Sequence, residues 1–254
     1  MPITISIATQ KGGVGKTTLT GMVAGQLHYV HALRCLAIDA DFPQHSLYGL
    51  REREEKALTS LPALSDLCMN FYAKHDFGTY PIFRTDEKPG NRTATDILSR
   101  IPTTGLDVIL IDLPGSVNQE DTLATLLDVE YFFVPVTPDR VVIESTLSFH
   151  NLLQLLQEQF ADRCKLKAVR YFLNQVDART KQDRILEQYR EAFAEAGMVF
   201  LDTWIPKSVK FSKETLDGNA VYRSTLLPMT PATASELHIS SLTHEILSIC
   251  NLQA

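Results

Sequence analysis

Cysteine is scarce and never paired. Cys35, Cys68, Cys164 and Cys250 stand singly along 254 residues, and the absence of any Cys-x-x-Cys spacing excludes zinc ribbons and thioredoxin-type exchange. Reduced thiols filling core positions account for all four. No apolar run is long enough to cross a bilayer. A secretory leader needs a basic start and a longer apolar stretch than the first residues offer, so none is expected. An excess of positive charge is lacking too: 24 Lys and Arg against 30 Asp and Glu leave a formal net charge of −6, which gives no global argument for nucleic acid. With no internal repeat, low-complexity tract or linker, one domain over 1–254 is expected.

What is present is a regular alternation of short β-rich runs and longer helical patterns. The composition, 44% hydrophobic and 21% charged, is that of a soluble globular protein. Ile3–Ala8, Cys35–Ile38, Asp107–Ile111, Tyr131–Val136 and Ala168–Leu173 read as strands, Tyr80–Arg84 as a shorter one and Met198–Ile205 as the last. Helical spacing covers Thr17–Leu33, 51–76, 140–160, 181–196 (ending at Gly197) and 232–250. The mixed charge run at 51–56 predicts a solvated helix face or turn. Strands alternating with helices imply parallel βαβ units: an α/β fold with a doubly wound, mainly parallel sheet and helices on both faces.

Between the first strand and first helix lies Thr-Gln-Lys-Gly-Gly-Val-Gly-Lys-Thr-Thr, residues 9–18. The usual phosphate-loop pattern, Gly-x-x-x-x-Gly-Lys-[Ser/Thr], fails at its first position, where Gln10 stands, and an extra lysine, Lys11, follows. The chemistry survives the change. Gly12, Gly13 and Gly15 permit the positive φ of an anion nest around Val14, and the following helix presents its positive end. Lys16 can reach β- and γ-phosphate oxygens, the Thr17 hydroxyl can ligate Mg²⁺, and Thr18 can donate toward the α-phosphate. A plain glycine turn with exposed lysines is the competing reading, and it does not explain glycines and lysines at this spacing in a strand–loop–helix context. An Mg²⁺-ATP site also needs carboxylates at the carboxyl ends of neighbouring strands. Asp39 and Asp41 follow one apolar strand and Asp112 another, with Pro114-Gly115 behind it as a mobile loop.

The stretch Lys11–Thr18 resembles the deviant Walker A motif of the ParA/MinD family of ATPases. The resemblance implies an ATP-dependent homodimer that sandwiches two nucleotides, with Lys11 crossing to the partner's ATP to stabilise charge on the transferring phosphoryl group, as an arginine finger does. It implies that Asp112 is the Walker B carboxylate holding Mg²⁺, that Asp41 orients or activates the attacking water, and that Asp39 supports the metal's water shell. It also implies that Asn174, in Phe-Leu-Asn-Gln-Val-Asp, bonds the adenine and that Pro206, in Ile-Pro-Lys-Ser, packs on its other side. A strand-end Asn cap and a Pro-initiated loop are the alternatives there. Asn174 lacks the lysine that guanine readers carry after it, so ATP is favoured over GTP. One departure stands out: the family reads Asp-x-Asp-Pro-Gln, whereas Phe42 intrudes here before Pro43. The resulting Phe-Pro-Gln-His-Ser form looks like that of ParA-type proteins of conjugative transposons, the conjugal-transfer TraA group.

Between Arg163 and Arg190 eight basic residues (Arg163, Lys165, Lys167, Arg170, Arg179, Lys181, Arg184, Arg190) face three acidic ones, and Lys207, Lys210, Lys213 and Arg223 continue the trend. Such a half could hold non-specific DNA in an ATP dimer, or simply be solvated helix faces. No Lys or Arg follows Arg223, so the last helix is a poor membrane anchor of the MinD kind and membrane insertion is not expected. The cysteines do not sit beside the switch loops, against a nitrogenase-iron-protein-like cluster, and Pro-Gln-x-Ser after Asp41 argues against a dethiobiotin-synthetase-like ligase. Two classes remain: a weak, partner-stimulated ATPase that carries a plasmid or mobile element on DNA, cytoplasmic and nucleoid-associated, with a ParB-like activator; or a nucleotide switch that recruits a protein without touching DNA.

Overall fold

The strands are apolar on both faces because helices cover both. A computed structural model describes all residues except 89, 116–119, 178–188, 190, 215, 218–219 and 254. Its main sheet contains β1 (Ile3–Ile7), β2 (Cys35–Asp39), β3 (Ile82–Arg84), β4 (Val108–Asp112), β5 (Tyr131–Val136) and β6 (Ala168–Leu173). All six are parallel, in the order β3-β2-β4-β1-β5-β6. Chain order reverses on either side of β1, so the loop after β1 opens into the crevice at the switch point of the sheet.

Alternation within each strand divides the core. Ile5, Ile7, Ala37, Leu110 and Phe133 face one layer with α1 (Lys16–Gly25) and the last helices, α7 (Pro231–Glu236) and α8 (Ile239–Ile249). Ile38, Ile109, Ile111, Phe132 and Val134 face the other, with α4 (Ala94–Leu98), α5 (Glu120–Leu126) and α6 (Arg140–Gln159). α2 (Ser46–Ala57) and α3 (Pro62–Tyr72) precede β3.

Several boundaries depart from expectation. The first helix ends as α-helix at Gly25 and continues as a π-turn, Gln26–Val30, rather than running to Leu33. The helical region 51–76 is two helices, because Leu61 is extended and Pro62 starts the second. Met198–Ile205 is not a strand. It meets the edge of β6 at two places, at Tyr171, which donates to the Val199 carbonyl (3.0 Å) and accepts from Leu201 N–H (2.7 Å), and at Leu173, which accepts from Ile205 N–H (2.8 Å). Between those points the amides of Asp202 and Thr203 turn away to the Glu245 carboxylate of α8 (3.1 and 2.7 Å). The closing helix is likewise two, broken at His238 with φ 57°. The 181–196 expectation falls mostly outside the described residues, but its end holds: Gly197 has φ +69°, and Met198 N–H reaches the Phe193 carbonyl, a Schellman stop.

The charge run at 51–56 is not wholly solvated. Arg51 and Glu54 are 8% and 2% exposed. Arg51 donates to the Thr225 hydroxyl (2.8 Å), the Thr225 carbonyl (2.7 Å) and the Tyr80 carbonyl (3.1 Å). Glu54 accepts from the Thr225 amide (2.7 Å) and hydroxyl (2.6 Å). This buried knot ties α2 to the segment before α7. Breaking such a group leaves charge buried without its partners. Glu54→Ala should therefore cost roughly 3 kcal/mol, seen as a lower urea midpoint at unchanged slope, while Glu55→Ala on the exposed face should cost within about 0.5 kcal/mol.

Candidate functional site

The loop from β1 into α1 is shaped by backbone conformations that a side chain would oppose. Gly13 and Gly15 have φ 77° and 86°, and Gly15 caps α1 in the left-handed conformation. The loop closes around a cavity of about 370 Å³ lined by Gly12, Gly13, Gly15, Lys16, Thr17, Thr18, Asp41, Gln44, Ser46 and Gly115. A Cβ on Gly115 would lie 3.4 Å from both the Gly12 nitrogen and Lys16 Nζ, so the loop after β4 presses directly on the glycine loop.

Lys16 is only 7% exposed. Its ammonium donates to the carbonyl of Lys11 at 3.1 Å. Burial lowers its pKa, and the carboxylates of Asp112 and Asp41 offset part of that. The Lys11 side chain is half-buried, and among the described residues no ion pair engages its ammonium.

The three aspartates are used differently. Asp39 and Asp112 are fully buried register partners across β2 and β4. Asp39 accepts from the amides of Leu47 and Tyr48, both 2.9 Å, and of Asp41, 3.2 Å, so it anchors the start of α2 and the loop before it. Neither oxygen of Asp112 makes a hydrogen bond of good geometry, and the Thr17 hydroxyl is the donor near it. Burial first, and then the neighbouring Asp39 charge, push its carboxyl up to about 8, and the Thr17 hydroxyl and Lys16 draw it partway back. Asp41 is half-buried and faces the loop cavity; desolvation raises its pKa against the pull of Lys16.

Phe42 is accommodated away from this cavity. Its ring meets His45 at 5.6 Å and lines a separate cavity of about 420 Å³ with Pro114 and Arg92, which leaves Asp41 on the glycine-loop side. A third cavity, about 650 Å³, lies on another flank of the loop, between Gly13–Gly15, Asn174, Gln175, Lys207, Val209, Phe211 and Arg223. Asn174 stands in its wall, but its amide is engaged: Nδ2 donates to the Val14 carbonyl (2.7 Å) and Oδ1 accepts from the Gln175 amide (2.9 Å). Asn174 thus braces the glycine loop. Pro206 is held beside it by a bridge to Val176.

Arg223 was counted only among the basic residues, yet it reaches this site. Its guanidinium donates to the Thr18 hydroxyl at 3.0 Å and pairs with Glu214 at 2.5 Å. The two residues lie 205 positions apart, so no spacing could announce it.

The donor set suits a magnesium ion held largely by a bound phosphate. Asp112 offers a fully buried carboxylate beside the Thr17 hydroxyl, Thr17 itself lines the glycine-loop cavity, and among the described residues no cluster of three His, Cys, Asp or Glu forms an all-protein cage. One carboxylate, one hydroxyl and phosphate oxygens are what Mg²⁺ takes in such sites.

Comparison with known proteins gives the chain a family and a fold. The family described as the CobQ/CobB/MinD/ParA nucleotide binding domain matches residues 5–221. The chromosome-partitioning ATPase Soj of Thermus thermophilus is 28% identical over 223 residues, covering 85% of this chain and 86% of that protein. A Cyanothece McdA–ATP complex matches over 100% of this chain and 98% of that one, with a TM-score of 0.62 at 15% identity. A cobyrinic acid a,c-diamide synthase from Mycobacterium smegmatis, solved with an ATP analog and magnesium, covers 97% and 94% with a TM-score of 0.60 at 15% identity. At these identities the solved structures speak for the fold.

Asp112 predicts a pH signature. Because its folded pKa is raised, the folded state binds a proton that the unfolded state has released; the stability this contributes is complete below about pH 4 and lost as pH rises toward 8. Without nucleotide or magnesium, Asp112→Asn should melt above the parent by about 3 °C or more at pH 8, with the gap closing toward pH 5. A gap independent of pH would mean that Asp112 is neutralised within the protein.

Proposed function

The chain belongs to the CobQ/CobB/MinD/ParA nucleotide binding domain family, and from that premise we propose that it is an ATP-dependent dimeric switch of the ParA type that binds and slowly hydrolyses Mg-ATP. The observation that carries the reading is the convergence of Lys16, Asp41, Thr17 and Thr18 on one glycine-loop cavity, with the buried Asp112 carboxylate beside Lys16 and Thr17.

In this reading the amides of Gly12–Gly15 and the start of α1 cradle the phosphates. Lys16 exchanges its bond to the Lys11 carbonyl for β- and γ-phosphate oxygens, while Thr18 donates toward the α-phosphate. A magnesium ion, held by Thr17 and Asp112 with Asp39 one layer behind, would neutralise charge on the β- and γ-phosphates. Asp41 orients the attacking water; its raised pKa keeps it a competent proton acceptor. The base lies in the 650 Å³ cavity, walled by Asn174 with Pro206 alongside. Since the Asn174 amide already braces the loop, the base is gripped there by shape more than by that amide. Lys11, half-buried in the glycine loop, reaches across to the partner's nucleotide when two chains close face to face.

One matched protein is named for chromosome partitioning, which supports reading this chain as a partition or mobile-element maintenance ATPase, one domain over 1–254, in the cytoplasm and on the nucleoid. The ATP dimer would hold DNA non-specifically, and a ParB-like partner would trigger hydrolysis and release. A second reading, recruitment of a protein without DNA, is favoured by one observation. Lys165, Lys167, Lys210 and Arg223 are each paired with a carboxylate, Asp128, Glu130, Glu236 and Glu214, which cancels much of the basic trend; Arg179, Lys181, Arg184 and Arg190 lie outside the described residues. No described helix is long and apolar enough to cross a membrane.

Dimer mass and DNA retention separate these readings. With Mg-ATP the protein should sediment as a dimer, Asp41→Ala should accumulate that dimer through lost turnover, and Lys11→Ala should remain monomeric. Retention on duplex DNA of arbitrary sequence should require ATP and fall steeply with salt. A dimer without retention at low salt selects the protein-recruiting switch, and parent-rate hydrolysis in Asp41→Ala removes Asp41 from the chemistry.

A further inference from the structure

Arg223 stands as a partition between two cavities. It lines the 650 Å³ cavity with Asn174 and Phe211, and also a cavity of about 410 Å³ with Thr17, Gln44, His45 and Arg53. Its side chain is only 21% exposed, and its Nε is buried with no hydrogen-bond partner. One terminal nitrogen donates to the Thr18 hydroxyl (3.0 Å) and the other meets Glu214 (2.5 Å). Glu214 also takes a two-pronged contact from Arg53 of α2 (2.9 and 3.2 Å). Two guanidinium groups around one carboxylate leave a positive charge in excess beside the glycine loop.

The Thr18 contact has a directional consequence. A guanidinium only donates, so the Thr18 oxygen accepts from Arg223 and its own proton must point elsewhere. Thr18 lines the glycine-loop cavity on the first turn of α1, so a phosphate oxygen bound there is an acceptor within its reach. We propose that Arg223 is a positioning residue for nucleotide phosphate: it fixes Thr18 as a donor and adds positive charge, while Glu214 holds it back and links it through Arg53 to α2. The inference rests on the nucleotide site described above. Because Asp39 anchors the other end of that link, at the amides of Leu47 and Tyr48, the phosphate side of the loop and the segment that bears Asp41 share one helix.

The two members of the ion pair should then act with opposite sign. By titration calorimetry with ADP and with ATP in magnesium, Arg223→Gln should weaken both about tenfold, as loss of a charge-assisted hydrogen bond does, and Arg223→Lys should recover part of it. Glu214→Gln should bind as well as the parent or tighter, since it releases the guanidinium. Thr18→Val combined with Arg223→Gln should bind no worse than the weaker single variant, because both act through one hydroxyl. If Glu214→Gln loses affinity as Arg223→Gln does, the pair is merely a structural clamp and the proposal is overturned; an Arg223→Gln within twofold of the parent overturns it as well. Should Arg223→Gln fail to fold, Glu214→Gln alone decides by the same criterion. A parent protein that binds neither nucleotide overturns the nucleotide reading itself, whereas a binding parent with an indifferent Arg223→Gln overturns this inference only.

Discussion

Two buried carboxylates face each other in register at the ends of β2 and β4, with a buried lysine beside them. Burying like charges side by side is unfavourable, and the protein resolves it unequally. Asp39 is satisfied by three backbone amides, whereas Asp112 has no backbone donor, only the Thr17 hydroxyl near it, and is pushed toward its neutral form. The sheet cannot relax this conflict, because both residues are the last of their strands in a parallel ladder whose register is fixed by two covered faces. The site is therefore a place where the fold holds charge in tension, which, in the function proposed above, a phosphate-bound cation would resolve.

The rest of the architecture keeps that tension in place. The glycine loop is braced from behind by Asn174 and Gln175, which donate to the carbonyls of Val14 and Gly13, and pressed from the side by Gly115. α2 starts on Asp39 and is locked farther along by the Arg51–Glu54–Thr225 knot. The loop bearing Asp41 and Phe42 is thus pinned at both ends, and Asp41 itself is held through its amide to Asp39 and its carbonyl to the His45 amide. Phe42 lines a neighbouring cavity, leaving Asp41 beside Lys16.

Legibility followed the range of the interactions. The glycine loop, the strands around it and the aspartates at their ends could be read because each is local: a motif of eight residues, or a carboxylate closing an apolar run. The broken edge at 198–205 could not, because its interruption depends on Glu245 from a distant helix capturing two amides. The burial of Arg51 and Glu54 was hidden by composition; a charged run looks solvated until Thr225 supplies partners from across the molecule. Asn174 was legible as a residue of the site but not in what it holds, since its loop partner is 160 residues away. Arg223 was invisible for the same reason.

The central claim is that this arrangement is a nucleotide grip completed by a cation. Its most direct test is calorimetric titration of ATP into the parent protein with and without magnesium, beside Lys16→Ala and Asp112→Asn. The account predicts saturable binding at one nucleotide per chain, abolished in Lys16→Ala and present but insensitive to magnesium in Asp112→Asn. Binding of equal strength in Lys16→Ala, or an unchanged magnesium dependence in Asp112→Asn, would contradict it.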